Sequence, residues 1–151
     1  MYCNRPSLSW RSPAAAALLV ATASILLSLP VAAQAPADLA AGEQAYTKCM
    51  GCHSPEHNRT GPLHCGLLGR ESGSVKDYDY SQAMRKARII WNAETLDQFL
   101  AAPLSNVPGT SMGFAGIPDS QERRNLIAWL ATLNASSDRC RSILSKPREN
   151  S

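Results

Sequence analysis

The chain has 151 residues, 15 of them basic and 12 acidic, with 44% apolar and 6% aromatic residues. That length suits one domain, and the composition excludes a wholly disordered chain, a collagen and a coiled coil. Two of the basic residues, Arg5 and Arg11, sit in an N-terminal leader; without them the balance is 13 against 12, which argues against nucleic-acid binding through a basic face.

The leader spans residues 1–35. Positive charge at Arg5 and Arg11 is followed by an apolar run from Ala14 to Leu29, then Pro30 and the small residues Val31, Ala32, Ala33 and Ala35. This order reads as a secretory signal, with cleavage after Ala33 or Ala35. The alternative is a retained membrane anchor, but the run is slightly short of the roughly 20 apolar residues a span needs. Cys3 precedes the run and leaves with it. The expected products are a domain over 36–136 and a polar tail over 137–151, exported to the periplasm and not stably inserted in a membrane.

Four helices are expected. The first opens at Asp38, a suitable N-cap, and continues through Gly42, Ala45 and Tyr46 to Cys49. A short second helix covers Ser81 to Ala87. The third opens near Asn92, carries Leu96, Phe99 and Leu100, and must end before Pro103. The fourth begins at Asp119 with Glu122 three residues on, in capping-box spacing, and repeats Leu126, Ile127, Leu130 and Leu133 at helical period. No strand alternation is visible, so the fold class is all-α. Residues 54–80 and 103–118 read as long loops, and the chain after Asn134 as a frayed tail. Loops of that length in a compact domain call for something else to organise them, such as a large apolar cofactor.

Cys49-Met50-Gly51-Cys52-His53 matches the C-x-x-C-H haem-attachment pattern. Two thiols can add across the two vinyl groups of a haem, and the adjacent imidazole can reach its iron. A thioredoxin-like redox pair would need a βαβ context, and a zinc site a second close Cys/His pair; His57 and His64 are too scattered to supply one. Met112, in the loop Pro108–Gly116, is a candidate second iron ligand; on position alone it is equally a flexible core filler.

The motifs CMGCH, TGP, GLLGR, PGTSMGFAGI and RRNLIAWL, in this order over residues 38–134, resemble class I cytochromes c of the mitochondrial and bacterial cytochrome c2 type. The resemblance implies a small cytochrome c fold whose helices and long loops wrap one covalent haem c. It implies thioethers at Cys49 and Cys52, and His53 and Met112 as axial ligands. It implies a Pro62 carbonyl that accepts from the histidine. Arg70, Tyr80, Trp91 and Thr110 would lie at the haem propionates, where donors offset the cost of burying carboxylates. Phe114 would shield the haem edge. Gly42 would let the first and last helices cross, with Leu126, Trp129 and Leu130 packed there. Phe99 stands where the family commonly has a tyrosine, Met84 where it has an asparagine and Ser111 where it has a lysine. The first two dry the pocket and alter the redox potential.

Cys65 and Cys140 remain. In an oxidising compartment they are expected to form a disulfide, with free or intermolecularly paired thiols as the alternatives. The implied function is periplasmic one-electron transfer by a monomer, between redox proteins such as an oxidase, a reductase complex or a dehydrogenase. Lysines at only four positions, 48, 76, 86 and 146, argue against docking by a strong positive patch. A small peroxidase or a haem-based sensor would instead need an open or exchangeable iron position.

Overall fold

The computed structural model describes residues 34–145. The secretory-signal reading therefore lies almost wholly outside the described residues, as does the end of the tail from 146 on.

Helix α1 spans Leu39–Tyr46 and is capped as expected: the Asp38 carboxylate accepts from the backbone N–H groups of Ala40 and Ala41 at 2.8 and 3.1 Å. It stops before Cys49. After Tyr46 the bonds tighten to the i→i+3 pattern, Lys48 N–H to Ala45 and Cys49 N–H to Tyr46, so both motif cysteines lie on turns. Helix α2, Gln82–Ala87, is capped by Ser81. Helix α3, Ala93–Ala101, opens with a reciprocal capping box between Asn92 and Thr95. One more turn of helix, α4 at Pro103–Asn106, interrupts what reads as a loop in sequence; Pro103 is placed at its start, where its missing N–H costs nothing. Helix α5 covers Ser120–Ala131, and the Asp119 side chain accepts from Glu122 N–H at 2.6 Å.

The expectation of a frayed tail does not hold over its first part. Helix α6 runs from Asp138 to Leu144, capped by Ser137. Contacts from outside the helix hold it: the disulfide from Cys140 to Cys65, an Arg139–Glu56 ion pair at 3.2 Å, Leu144 against Gly66, and Ile143 packed on the core. A polar segment that cannot bury its own core is thus fixed from outside. The expected pairing of Cys65 with Cys140 is present, with Cα atoms 5.4 Å apart and both side chains buried.

Helices α1 and α5 cross at Gly42. A Cβ there would lie 2.1 Å from the Asn125 carbonyl oxygen and 2.8 Å from Trp129 Cβ, so only glycine permits the approach. Asn125 Oδ1 accepts from Asp38 N–H at 3.0 Å across the same crossing. Helix α3 packs on α5 and is locked there by Arg123, whose guanidinium donates to both Asp97 carboxylate oxygens at 2.7 and 3.2 Å. The same side chain donates to the carbonyls of Ile117 and Pro118, so it also anchors the end of the 107–118 loop. Among the described residues the β structure is a single isolated bridge, Glu71 to Ile90, and no helix is long and apolar enough to cross a membrane. The core is continuous from Tyr46 through Trp91, Leu96 and Phe99 to Leu126 and Leu130, and one side of it opens into a cleft.

Candidate functional site

The cleft holds about 370 Å³, within the range of cofactor pockets. Its apolar wall comes from Leu67, Met84, Trp91, Leu96, Phe99 and Leu100, with Leu126 and Leu130 from α5. The ten residues that the resemblance assigns to the haem or its iron all line it: Cys49, Cys52, His53, Pro62, Arg70, Tyr80, Trp91, Thr110, Met112 and Phe114. They are spread along the chain from residue 49 to residue 114, a scatter that neither helical period nor local spacing could have joined.

The turn 47–53 places the two cysteines and the histidine. His53 N–H donates to the Cys49 carbonyl at 2.8 Å, closing the turn. Both thiols are free, whereas the other two cysteines of the domain are bridged to each other. Burial pushes the Cys49 thiol up to about 11, against a smaller opposing effect of Lys48. A dithiol redox centre needs the reverse, a thiol acidified into the reactive thiolate.

The His53 ring is oriented by Pro62, whose carbonyl oxygen is 2.7 Å from Nδ1. A carbonyl can only accept, so Nδ1 carries the proton and the Nε2 lone pair is left free. Burial lowers the pKa of this imidazole, partly opposed by the same hydrogen bond. Gly61 is required beside it: a Cβ would sit 2.3 Å from His53 Cε1.

Arg70 is half-buried on the cleft wall. Its guanidinium donates to the carbonyls of Leu63 and Cys65 at 2.8 and 3.2 Å, and burial lowers its pKa. Among the described residues it has no carboxylate partner, and the Trp91 indole N–H donates no hydrogen bond. A half-buried cation and a free donor on one wall suit an acidic group brought by a ligand. Tyr80 stands close enough to Arg70 for the cation to favour its ionised form, although burial outweighs this and raises its pKa.

Met112 enters from the 107–118 loop. Its own N–H donates to Thr110 Oγ1 at 3.2 Å, so the Thr110 hydroxyl braces the methionine turn. Phe99 packs at 5.1 Å on Trp91, filling a position where a hydroxyl would have introduced polarity. The residues present fit a haem: two free thiols beside an imidazole with an open lone pair, a thioether on another segment, an apolar wall and an unmatched cation.

Two lining residues carried no signal in the sequence. Tyr78 donates its hydroxyl to the Thr60 carbonyl and packs edge-on against Tyr80 at 4.6 Å. His64 stacks on the His53 ring with centroids 4.3 Å apart and planes 20° from parallel. Both lie in loops without a repeat, where only tertiary placement reveals a neighbour.

A family model described as cytochrome c matches residues 39–134. Cytochrome c2 of Blastochloris viridis is 38% identical over 113 residues, covering 73% of this chain and 89% of that protein. Cytochrome c2 of Agrobacterium tumefaciens (strain II Chrys) is 41% identical over 99 residues, covering 62% and 89%. Among solved structures, cytochrome cH from Methylobacterium extorquens superposes with a TM-score of 0.62 at 41% identity, covering 63% of this chain and 98% of that one.

Proposed function

Since this chain belongs to the cytochrome c family, a family of electron carriers holding one covalent haem c, we propose that it attaches the haem through Cys49 and Cys52 and holds the iron between His53 and Met112 in the periplasm. Bound there, the haem supplies a reversible Fe(III)/Fe(II) one-electron couple. The observation that carries the assignment is His53: with Nδ1–H committed to the Pro62 carbonyl, Nε2 is the only nitrogen left for a metal, and two free thiols share its turn.

Each side chain has a task under this reading. His53 and Met112 would both ligate the iron, which would leave it no position for a substrate. The Met112 thioether favours the reduced state, and the apolar wall disfavours the more highly charged oxidised state. Arg70, Tyr80, Trp91 and Thr110 bind the propionates, and Phe114 covers the edge next to the attachment turn. Lys48, the lysine lining the cleft, is ion-paired to Glu122. Its charge is therefore partly neutralised at the place where a partner would dock, and recognition there leans on apolar contact from Met50 and Phe114.

Export is supported by the leader pattern over 1–35 and by the Cys65–Cys140 bridge, since disulfides persist in oxidising compartments. The carrier then acts as a monomer between respiratory or dehydrogenase partners. The test is expression with cytochrome c maturation proteins. Wild type should yield a red periplasmic protein whose haem survives denaturing electrophoresis, and Cys49→Ala/Cys52→Ala should lose that covalent haem entirely. A colourless wild type, or a double variant that still carries covalent haem, refutes the attachment.

A further inference from the structure

The His64 ring lies face to face with His53, 4.3 Å between centroids and 20° between planes. His64 lines the cleft, and its Nδ1 is 3.1 Å from the Tyr46 hydroxyl. Tyr46 is fixed in turn: it is 3% exposed, closes α1 and packs at 4.4 Å on Trp129 of α5. Trp129 lies at the Gly42 crossing. A continuous column of rings thus runs from the helix crossing to the histidine of the attachment motif. His64 is also held through its own backbone: its N–H donates to the carbonyls of Ser54 and Pro55, and Cys65 beside it carries the disulfide.

We propose that His64, tethered by Tyr46, is a positioning residue that sets the plane of the His53 imidazole. This rests on His53 being the iron's histidine ligand. The physical need is specific. One hydrogen bond from Nδ1–H to Pro62 restrains the ring at one edge but leaves rotation about the ligand axis soft. A flat neighbour stacked on the ring face opposes that rotation, because turning would either open a gap or drive the edges together. The tether matters because a stacked imidazole free to swing would turn with its neighbour. The phenol hydroxyl, itself immobilised at the helix crossing, prevents this.

The orientation of an axial imidazole is readable without any electron-transfer assay. In a low-spin ferric haem the imidazole plane selects the iron d orbital holding the unpaired electron, and so sets the pattern of haem-methyl proton resonances. The test uses the holoprotein. His64→Leu, which keeps bulk and removes the flat face, should change the order or spacing of the haem-methyl resonances and shift the reduction potential. Tyr46→Phe, which removes only the tether, should produce a smaller change in the same sense. The double variant should match His64→Leu alone, because Tyr46 acts through His64. A lower thermal midpoint with an unchanged methyl pattern in His64→Leu overturns the proposal and leaves His64 as packing. An additive double variant overturns the role of the tether. If His64→Leu does not fold, Tyr46→Phe decides alone, and an unaltered methyl pattern in it counts against the pair. Failure of the axial assignment has a separate signature: a wild-type ferric protein that is high-spin or lacks methionine-ligand resonances.

Discussion

The two segments that would supply the axial ligands are built very differently. The histidine segment, residues 53–70, is cross-braced along its length. Gly61 N–H donates to Cys52, His64 and Cys65 to Pro55, Gly66 to Leu133 and Gly69 to Trp91, while the Arg70 side chain closes back on Leu63 and Cys65. The disulfide then bolts it to α6. The methionine segment is fastened at its ends, Val107 to Pro103 and Ile117 to Leu100, with Arg123 gripping the carbonyls of Ile117 and Pro118. Between 111 and 116 the hydrogen bond found among the described residues is the local one from Met112 N–H to Thr110. The lesson is one of division: the histidine side is held by the protein, whereas under the proposed function the methionine side would be held by a bond to iron. Local stability should follow that division, with the sparsely bonded segment opening first.

The largest effect that can break this comparison comes from Met112→Ala. If the iron bond is what holds the loop, the variant should lower the reduction potential by a few tenths of a volt and bind carbon monoxide rapidly, since axial ligands tune haem potentials over that scale. Amide exchange should quicken in 108–116 and stay slow in 53–70. Equal quickening on both sides would sink the division. Next in size is Cys65→Ala/Cys140→Ala. The bridge spans 75 residues, and closing a loop of that length stabilises by about 4 kcal/mol. Urea unfolding should register the loss, whereas the potential should move far less than in Met112→Ala. The intact wild type should weigh two hydrogens less than its reduced form.

Much of this organisation was legible in the sequence, for identifiable reasons. Asp38, Asn92 and Asp119 announced helix starts because capping is local chemistry. The attachment motif was legible because its residues are contiguous. Gly42 and Trp129, 87 positions apart, were linked only through family resemblance, since backbone contact across a crossing leaves no local pattern. Helix α6 was illegible because its anchors are tertiary: Ser137 caps it locally, yet what keeps seven polar-rich residues in place is a bridge, an ion pair, a leucine lying against Gly66 and Ile143 on the core. His64 was passed over as a scattered histidine because nothing in residues 54–80 repeats, and the stack on His53 arises only when the loop folds back after Pro62.

A smaller effect sharpens the histidine side. Gly61→Ala places a methyl 2.3 Å from His53 Cε1. The ring must shift against a loop that cannot yield, and overpacking of this kind costs about 1–3 kcal/mol. The expected outcome is a lower urea midpoint with covalent haem retained.

The smallest expected effect appears only in alkali and separates the two sides in one titration. Burial raises the Tyr46 phenol well above its ordinary value, with the Glu56 charge adding to the rise. The unfolded chain gives up this proton near pH 10, while the folded protein keeps it. Above that pH the unfolded state therefore binds fewer protons, and stability falls as pH rises, by at most about 1.4 kcal/mol per pH unit from this group. Tyr46→Phe removes that contribution, so its urea midpoint should fall less steeply above about pH 10. A residual slope should survive, because burial also raises Tyr78 and Tyr80. Loss of methionine ligation, followed by visible absorbance, should precede loss of helical circular dichroism as pH rises, and Tyr46→Phe should delay only the second. The order matters because Tyr46 sits on the braced side: it acts through the balance with the unfolded chain, so it should move the helical signal and not the methionine one. Were the two signals to disappear together in the wild type, the methionine segment would be as firmly fastened as the histidine segment, despite its missing hydrogen bonds.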